Sequence, residues 1–342
     1  MKQLEIADTY LLEDLRLVAR EKPASPGPGE VMVKMGAVSL NFRDLLVATG
    51  NGHWRPTPGR VPGSDGVGRV VEVGEGVSRF AVGDRVITTI LPNWISGPMT
   101  EEKSRGSLGG VAADGVLAEY RVLNAESLVL APDYLTDAQA ATFPTAGLTA
   151  WHALQRAGEL GPDSTLLVQG TGGVSLFALQ IGLASGAKVL ATSGSDSKIE
   201  RLKALGAHAT VNYQQRPEWS QDVLALTEGK GADVTVDIGG ASTLHQSVKA
   251  AAHYGVIGIV GLTGGLEATF NVAQVFFKNL RIEGIETGSR EMLEAMLSWF
   301  SARQIVPVVD SIYSFENSRE AFLHLQSGQH VGKVCITFQA DK

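Results

Sequence analysis

One cysteine, Cys335, is the whole thiol content of the 342-residue chain, so an internal disulfide is excluded. No apolar run reaches the length of a bilayer span. No basic stripe interrupts a net charge of −7, which leaves neither nucleic acid nor an anionic membrane surface as an expected partner. The opening MKQLEIADTYLLEDL sets acids among apolar positions and lacks the basic start and apolar run of a secretory leader. A reducing, cytoplasmic location is the expectation these absences share. The seven histidines show no HExxH-type spacing, and a catalytic metal is not expected on composition.

What is present is length, glycine and two textures. The chain is too long for one ordinary core and comfortable for two domains. Its 44% hydrophobic and 19% charged residues can fill both cores. Forty glycines without a collagen period or low-complexity tract imply tight turns and close backbone contacts. Residues 1 to about 126 read as short strands and turns: GEVMVKMGAV alternates at Val31, Val33, Met35 and Ala37. Pro23, Pro26 and Pro28 mark a loop, and the mixed segment 91–115 reads as a surface lobe without an element. From 127 to about 286, strand and helix alternate, which implies βαβ units and a parallel sheet. Gly186, Gly206, Gly229 and Gly255 are read as helix ends. The tail is read as strand, helix, strand.

Inside that alternation, the strand STLLVQG runs into GTGGVS and then a helix, the context of a dinucleotide loop. Gly170 permits the turn, Thr171 follows it, and Gly172 and Gly173 let the backbone approach a pyrophosphate. The helix beginning near Val174 supplies free N–H groups and a positive dipole end. Ser175 stands where a third glycine is expected for close helix–strand packing. The end of the second strand carries Thr192, Ser193 and Gly194, with no carboxylate to grip a ribose 2′-OH. Hydroxyls with Lys198 and Arg201 nearby suit a 2′-phosphate, so NADPH is expected, and Asp196 is read as a helix N-cap.

PGSDGVGRVVEVGEGVSRFAVGDRV, GVLAEY, FPTAGLTAW, GTGGVS and HVGKVCI, in that order, resemble the medium-chain dehydrogenase/reductase superfamily over nearly the whole chain. The resemblance implies an α/β chain: a mostly-β GroES-like catalytic domain (1–126, completed by 287–342) and a Rossmann NADP(H)-binding domain (127–286) with a doubly wound parallel sheet. Alcohol dehydrogenases of the superfamily hold a catalytic zinc. The corresponding positions here are Asn41, Ser64 and Thr145, none a usual zinc ligand. The four cysteines of the structural zinc lobe are absent too. NFRD at 41–44 resembles the zinc-free quinone oxidoreductase branch, which includes enone, alkenal and quinone reductases. Ser175 and the segment 91–115 depart from that pattern.

The implied chemistry is hydride transfer from NADPH to a quinone or an α,β-unsaturated carbonyl compound, with hydrogen bonds to the oxygen that gathers charge. Asn41 is the candidate donor or else a loop cap. Asp44 is a cleft contact or a helix cap. His53 is a proton relay or an exposed loop residue, and Trp54 beside it walls a pocket or packs. By resemblance, Thr145 faces the nicotinamide, Tyr213 lies by the adenosine phosphate and Gly288 contacts the carboxamide. Gly239, Gly261 and Leu262 fall at strand ends, the ligand edge of a parallel sheet. Lys333 approaches the cleft or, more simply, is solvent-exposed, and Cys335 is read as a buried small hydrophobe. A homodimer through NLRIEGI is expected by resemblance. Two alternatives stay open: a metal-free alcohol or carbonyl dehydrogenase, and an NADPH-binding sensor or structural protein without significant turnover.

Overall fold

The computed structural model describes residues 1–338, and the chain divides into two compact units: Met1–Leu148 with the segment from Gly288 onward, and Thr149–Thr287. Residues 339–342 of the expected C-terminal segment lie outside the described residues.

The first unit opens with an antiparallel pair, β1 (Lys2–Glu5) and β2 (Arg16–Ala19). β3 (Glu30–Ser39), α1 (Phe42–Ala48), β4 (Asp65–Val73) and β5 (Arg85–Thr88) follow. Next come α2 (Glu101–Ser104), β6 (Tyr120–Asn124), β7 (Leu128–Leu130) and α3 (Asp137–Ala140). A π-helical turn, Phe143–Gly147, leads into α4 (Leu148–Ala157). Val31, Val33, Met35 and Ala37 are all buried in β3, but Met32 and Val38 between and beyond them are buried too, so the strand is covered on both faces over part of its length.

The second unit is built of β8 (Thr165–Gln169), α5 (Gly173–Ala184), β9 (Lys188–Ser193), α6 (Asp196–Ala204) and β10 (Ala209–Asn212). Then follow α7 (Trp219–Leu226), β11 (Ala232–Asp237), α8 (Leu244–Ala250), β12 (Ala251–Ile259), α9 (Val272–Lys278) and β13 (Arg281–Gly284). The six strands are all parallel, in the order β10-β9-β8-β11-β12-β13. The order reverses between β8 and β11, the place where open parallel sheets bind ligands.

From Gly288 the chain returns to the first unit through α10 (Arg290–Arg303), β14 (Val309–Ser314), α11 (Ser318–Ser327) and β15 (Lys333–Thr337). β15 pairs antiparallel with β3, placing Cys335 opposite Ser39, and parallel with β14. The sheet order is β14-β15-β3-β4-β5-β7, with β6 also paired to β3.

Three expectations need revision. The first boundary falls at 148/149 and not at 126/127, because β7 pairs with β5 and Phe143 packs edge-on against Phe300 at 5.1 Å within the first unit. The second falls after Thr287. Gly255 does not end a helix: α8 stops at Ala250 and Gly255 lies inside β12. Backbone carbonyls of Ala252 and Ala232 would stand 2.9 and 3.1 Å from a Cβ there, so glycine serves close strand packing. The 91–115 segment is more than a surface lobe. It contains α2, buries Leu91, Trp94 and Leu108, and packs Gly109 and Gly115 directly on the Gly63 backbone.

Candidate active site

The second unit presents, at the reversal of strand order, the edge where open parallel sheets bind ligands. β8 ends at Gln169 and the chain turns at Gly170, whose φ of +75° is a left-handed conformation that glycine tolerates. Thr171 is buried and Gly172 caps α5. A Cβ on Gly172 would meet no atom within 4 Å, so nothing in the chain itself requires glycine there. The first helical donor is Leu176, bonded to the Gly172 carbonyl at 3.0 Å. The N–H groups of Gly173, Val174 and Ser175 therefore precede the ladder, at the positive end of the helix dipole.

Ser175 explains the missing third glycine. Its side chain is buried, and its hydroxyl donates to the Gln169 carbonyl at 2.5 Å, tying the helix start to the strand end. The close helix–strand approach sits two turns later. A Cβ on Gly182 would lie 2.6 Å from Leu166 Cδ2 and 3.0 Å from Val189 Cγ2.

Asp237, which the sequence reading did not single out, organises the rest of this edge. Fully buried at the end of β11, its Oδ1 accepts from Gly239 N (3.1 Å), Gly240 N (2.9 Å) and Thr243 Oγ1 (2.5 Å). Its Oδ2 accepts from Ser247 Oγ (2.6 Å) and Gln169 Nε2 (3.3 Å). The ends of β8 and β11 are thus fastened together at the reversal of strand order. Gly261, after β12, brings its backbone against Ile238, whose carbonyl oxygen would be 2.5 Å from a Cβ, and Leu262 beside it is exposed.

At the second strand end, Ser193 is buried and its carbonyl accepts from Tyr213 N–H at 3.0 Å. Tyr213 lies against Gly194, where a Cβ would be 2.7 Å from its hydroxyl oxygen. The helix cap is Ser195, not Asp196: Ser195 Oγ accepts from Lys198 N–H at 3.3 Å. Asp196 instead accepts from Asn212 and Gln215, securing the end of β10. Lys198 lies in the first turn of α6, its backbone N–H on the Ser195 cap.

The first unit holds a buried polar chain. Asn41 caps α1 and is 7% exposed. Lys333 Nζ, 4% exposed on β15, donates to the Leu40 carbonyl and to Asn41 Oδ1. Asn41 Nδ2 donates to Ser64 Oγ at 3.2 Å, and Ser64 Oγ donates to Asp65 Oδ1 at 2.9 Å. Thr145 closes the chain on the same carboxylate, through Oγ1 (2.6 Å) and its backbone N–H (2.9 Å). Lys333 is therefore not the solvent-exposed residue expected. Burial pushes its ammonium below the usual lysine range, opposed first by Asp65.

Asp44 takes the capping role of its two readings. It is fully buried, and its Oδ2 accepts from Asn41 N–H at 2.8 Å. Burial, reinforced by Asp65 and opposed by Arg43, raises its pKa to about 6. Between the ordinary carboxylate range and that value the folded state holds more protons than the unfolded state. Stability therefore falls as pH rises through this window. Asp44→Asn keeps an acceptor for Asn41 and removes the titration, so the fall should flatten; urea midpoints from about pH 4 to 8 check this. An unchanged slope would assign the titration elsewhere.

Two expected residues stand apart from the chain. His53 is exposed in a short 3₁₀ turn, its ring 5.0 Å from that of Trp54, and none of the chain's hydrogen bonds reaches it. Gly288 has a packing reason to be glycine, since Leu148 Cγ would be 2.8 Å from its Cβ. Arg43, beside Asn41, donates to the Leu108 carbonyl at 2.8 Å and tethers the 91–115 segment to α1.

Comparison with known proteins agrees with this architecture. Residues 27–133 match the alcohol dehydrogenase GroES-like domain and residues 173–302 the zinc-binding dehydrogenase family. A zinc-type alcohol dehydrogenase-like protein of Schizosaccharomyces pombe is 40% identical over 325 residues, 92% of this chain and 93% of that protein. The solved structure of a putative alcohol dehydrogenase from Sinorhizobium meliloti is 40% identical, with a TM-score of 0.91 over 99% of both chains. A solved NAD-dependent alcohol dehydrogenase is 35% identical, with a TM-score of 0.89 over 99% of this chain and 100% of that one. A GroES-like unit in one chain with a doubly wound Rossmann sheet is the plan of an oxidoreductase that uses a nicotinamide cofactor. The chain belongs to the medium-chain dehydrogenase/reductase superfamily.

The matched family's name implies zinc, and the donors at Asn41, Ser64 and Thr145 do not suit it. They are an amide and two hydroxyls, where zinc takes thiolate, imidazole or carboxylate. The one carboxylate they surround, Asp65, already accepts three hydrogen bonds, and a buried lysine donates to Asn41. Among the described residues no helix is long and apolar enough to cross a membrane.

Proposed function

We propose that the chain is a zinc-independent, NADPH-dependent oxidoreductase that reduces acceptors already electrophilic, namely α,β-unsaturated carbonyl compounds or quinones. The observation that carries this reading is the Lys333–Asn41–Ser64–Asp65–Thr145 chain, made of hydrogen-bond donors and acceptors with no metal-ligand set. Without a Lewis acid, a plain ketone is a poor target for hydride, whereas an enone or quinone is activated by its own structure. The nicotinamide cofactor, when bound, supplies the hydride. The open end of α5 suits its pyrophosphate, and Lys198 suits a 2′-phosphate.

The direct test follows NADPH absorbance with chelator present over a panel of enones, alkenals and quinones, with benzaldehyde and a simple ketone alongside. Turnover confined to the activated acceptors is expected. Activity abolished by chelator, or seen only with the aldehyde and ketone, would overturn the reading. The likeness to alcohol dehydrogenases, one of them of zinc type, favours a second reading as to substrate: an alcohol or carbonyl dehydrogenase, which, if it works without metal, predicts NADP+ reduction by simple alcohols in the presence of chelator. The NAD-dependent relative sharpens the cofactor question. Lys198→Ala should weaken NADPH binding by about tenfold while NADH binding changes little. Equal loss for both would refute the phosphate role.

A homodimer is the expected assembly. Among the described residues β13 is an edge strand paired with β12 alone, and Val272, Phe276 and Phe277 of neighbouring α9 are exposed. A monomeric mass by light scattering would sink this expectation.

A further inference from the structure

The buried chain in the first unit can run in only one direction. The Lys333 nitrogen gives one hydrogen to the Leu40 carbonyl, an acceptor without a proton to return, and another to Asn41. As an ammonium, Lys333 has no lone pair with which to accept, so both contacts are donations from its own hydrogens. The Asn41 carboxamide must therefore turn its oxygen to Lys333 and its nitrogen to Ser64. Ser64, receiving from Asn41, spends its own hydrogen on Asp65. Asp65, as a carboxylate, accepts this and both hydrogens of Thr145. Amide and hydroxyl orientations are usually ambiguous, but here a donor at one end and an acceptor at the other fix them all.

We infer that Lys333 and Asp65 are positioning residues that lock the Asn41 carboxamide, so that its second Nδ2 hydrogen stands as a permanent donor to the carbonyl oxygen of the acceptor. This rests on the enone and quinone reading above. When hydride reaches the β-carbon of an enone, the π pair shifts to the carbonyl oxygen and the dihydronicotinamide is oxidised. Water then protonates the α-carbon of the enolate. Asn41 transfers no proton in this sequence; its N–H strengthens its bond as charge gathers on oxygen. A single neutral donor stabilises that charge less than a metal does, so the rate should depend steeply on the acceptor's own electrophilicity.

Two variants test this. Asn41→Asp keeps an oxygen facing Lys333 but offers no N–H, and kcat with enones should fall by about 100-fold while the KM for NADPH is little changed. Lys333→Met frees the amide to turn, and kcat should fall more for weakly electrophilic enones than for quinones. Retained kcat in Asn41→Asp overturns the inference, as does a loss in Lys333→Met that is uniform across acceptors. Should Lys333→Met not fold, Asn41→Asp decides alone. A readout independent of turnover is the ¹⁵N-labelled side-chain amide of Asn41, identified by its disappearance in Asn41→Asp. The hydrogen it gives to Ser64 should exchange slowly in the parent protein; fast exchange of that hydrogen would refute the lock whatever the substrate. A parent inactive on every enone and quinone, with slow amide exchange, would sink the functional reading and leave the lock standing.

Discussion

Gly172→Ala should weaken NADPH binding by about tenfold or more, roughly 1.4 kcal/mol or above, and leave the Tm almost where it was. The backbone there, φ −74° and ψ 175°, is open to alanine, and the added methyl would meet no atom of the chain within 4 Å. Any penalty must come from a group brought to the helix end from outside. Gly182→Ala should do the reverse. Its methyl would crowd Leu166 and Val189 in the core, at a cost of about 1 to 3 kcal/mol, with intact protein binding cofactor as before. Fluorescence titration with NADPH and thermal denaturation of the two variants separate the effects. Normal affinity in Gly172→Ala would mean that this loop does not hold the pyrophosphate.

Asp237→Ala should cost about 3 to 5 kcal/mol, the largest stability loss anticipated for a single side chain of the second unit. Five donors converge on that carboxylate from two strand ends and the start of α8; an alanine strands Gly239 N–H, Gly240 N–H and the Ser247 hydroxyl, while Gln169 keeps Ser247 and Thr243 keeps only a long contact to the Gly240 carbonyl. Asp237→Asn should cost much less. Its oxygen keeps Gly239, Gly240 and Thr243, while its nitrogen faces Ser247 and Gln169. Ser247 can rotate to accept, and Gln169 can turn over its own Oε1, which has no hydrogen-bond partner among the described residues. Urea denaturation of both variants checks the difference. Equal losses would mean that shape, not the satisfaction of these donors, is what Asp237 provides.

The parallel sheet was legible because its strands are continuous β-branched runs between helical stretches, a pattern that burial on both faces imposes. The dinucleotide loop was legible for a related reason: its glycines sit between strand and helix, where local conformation decides them. AAAHYG misled because alanines favour helix in isolation, while pairing of Val256 with both Val234 and Arg281 makes this segment a strand. Asp65 was hidden in PGSDG, which reads as a turn. Its meaning depends on Thr145, 80 residues further on. Lys333 was misread because a lysine is ordinarily solvated. The available signal was its neighbourhood, VGKVCI, a strand with no other charge that must be buried if it returns to a sheet.

Strand order in the first unit carries a consequence for how the protein is made. β15, which brings Lys333 to Asn41, is the last strand among the described residues and pairs with β3, the third. The second unit is one unbroken stretch, with every strand of its sheet complete before residue 288 is added. On the ribosome the nucleotide-binding half can mature while the half with Asn41 still lacks its amine. A chain cut short before β15 would keep every strand of the parallel sheet and lose the pairing that completes the first.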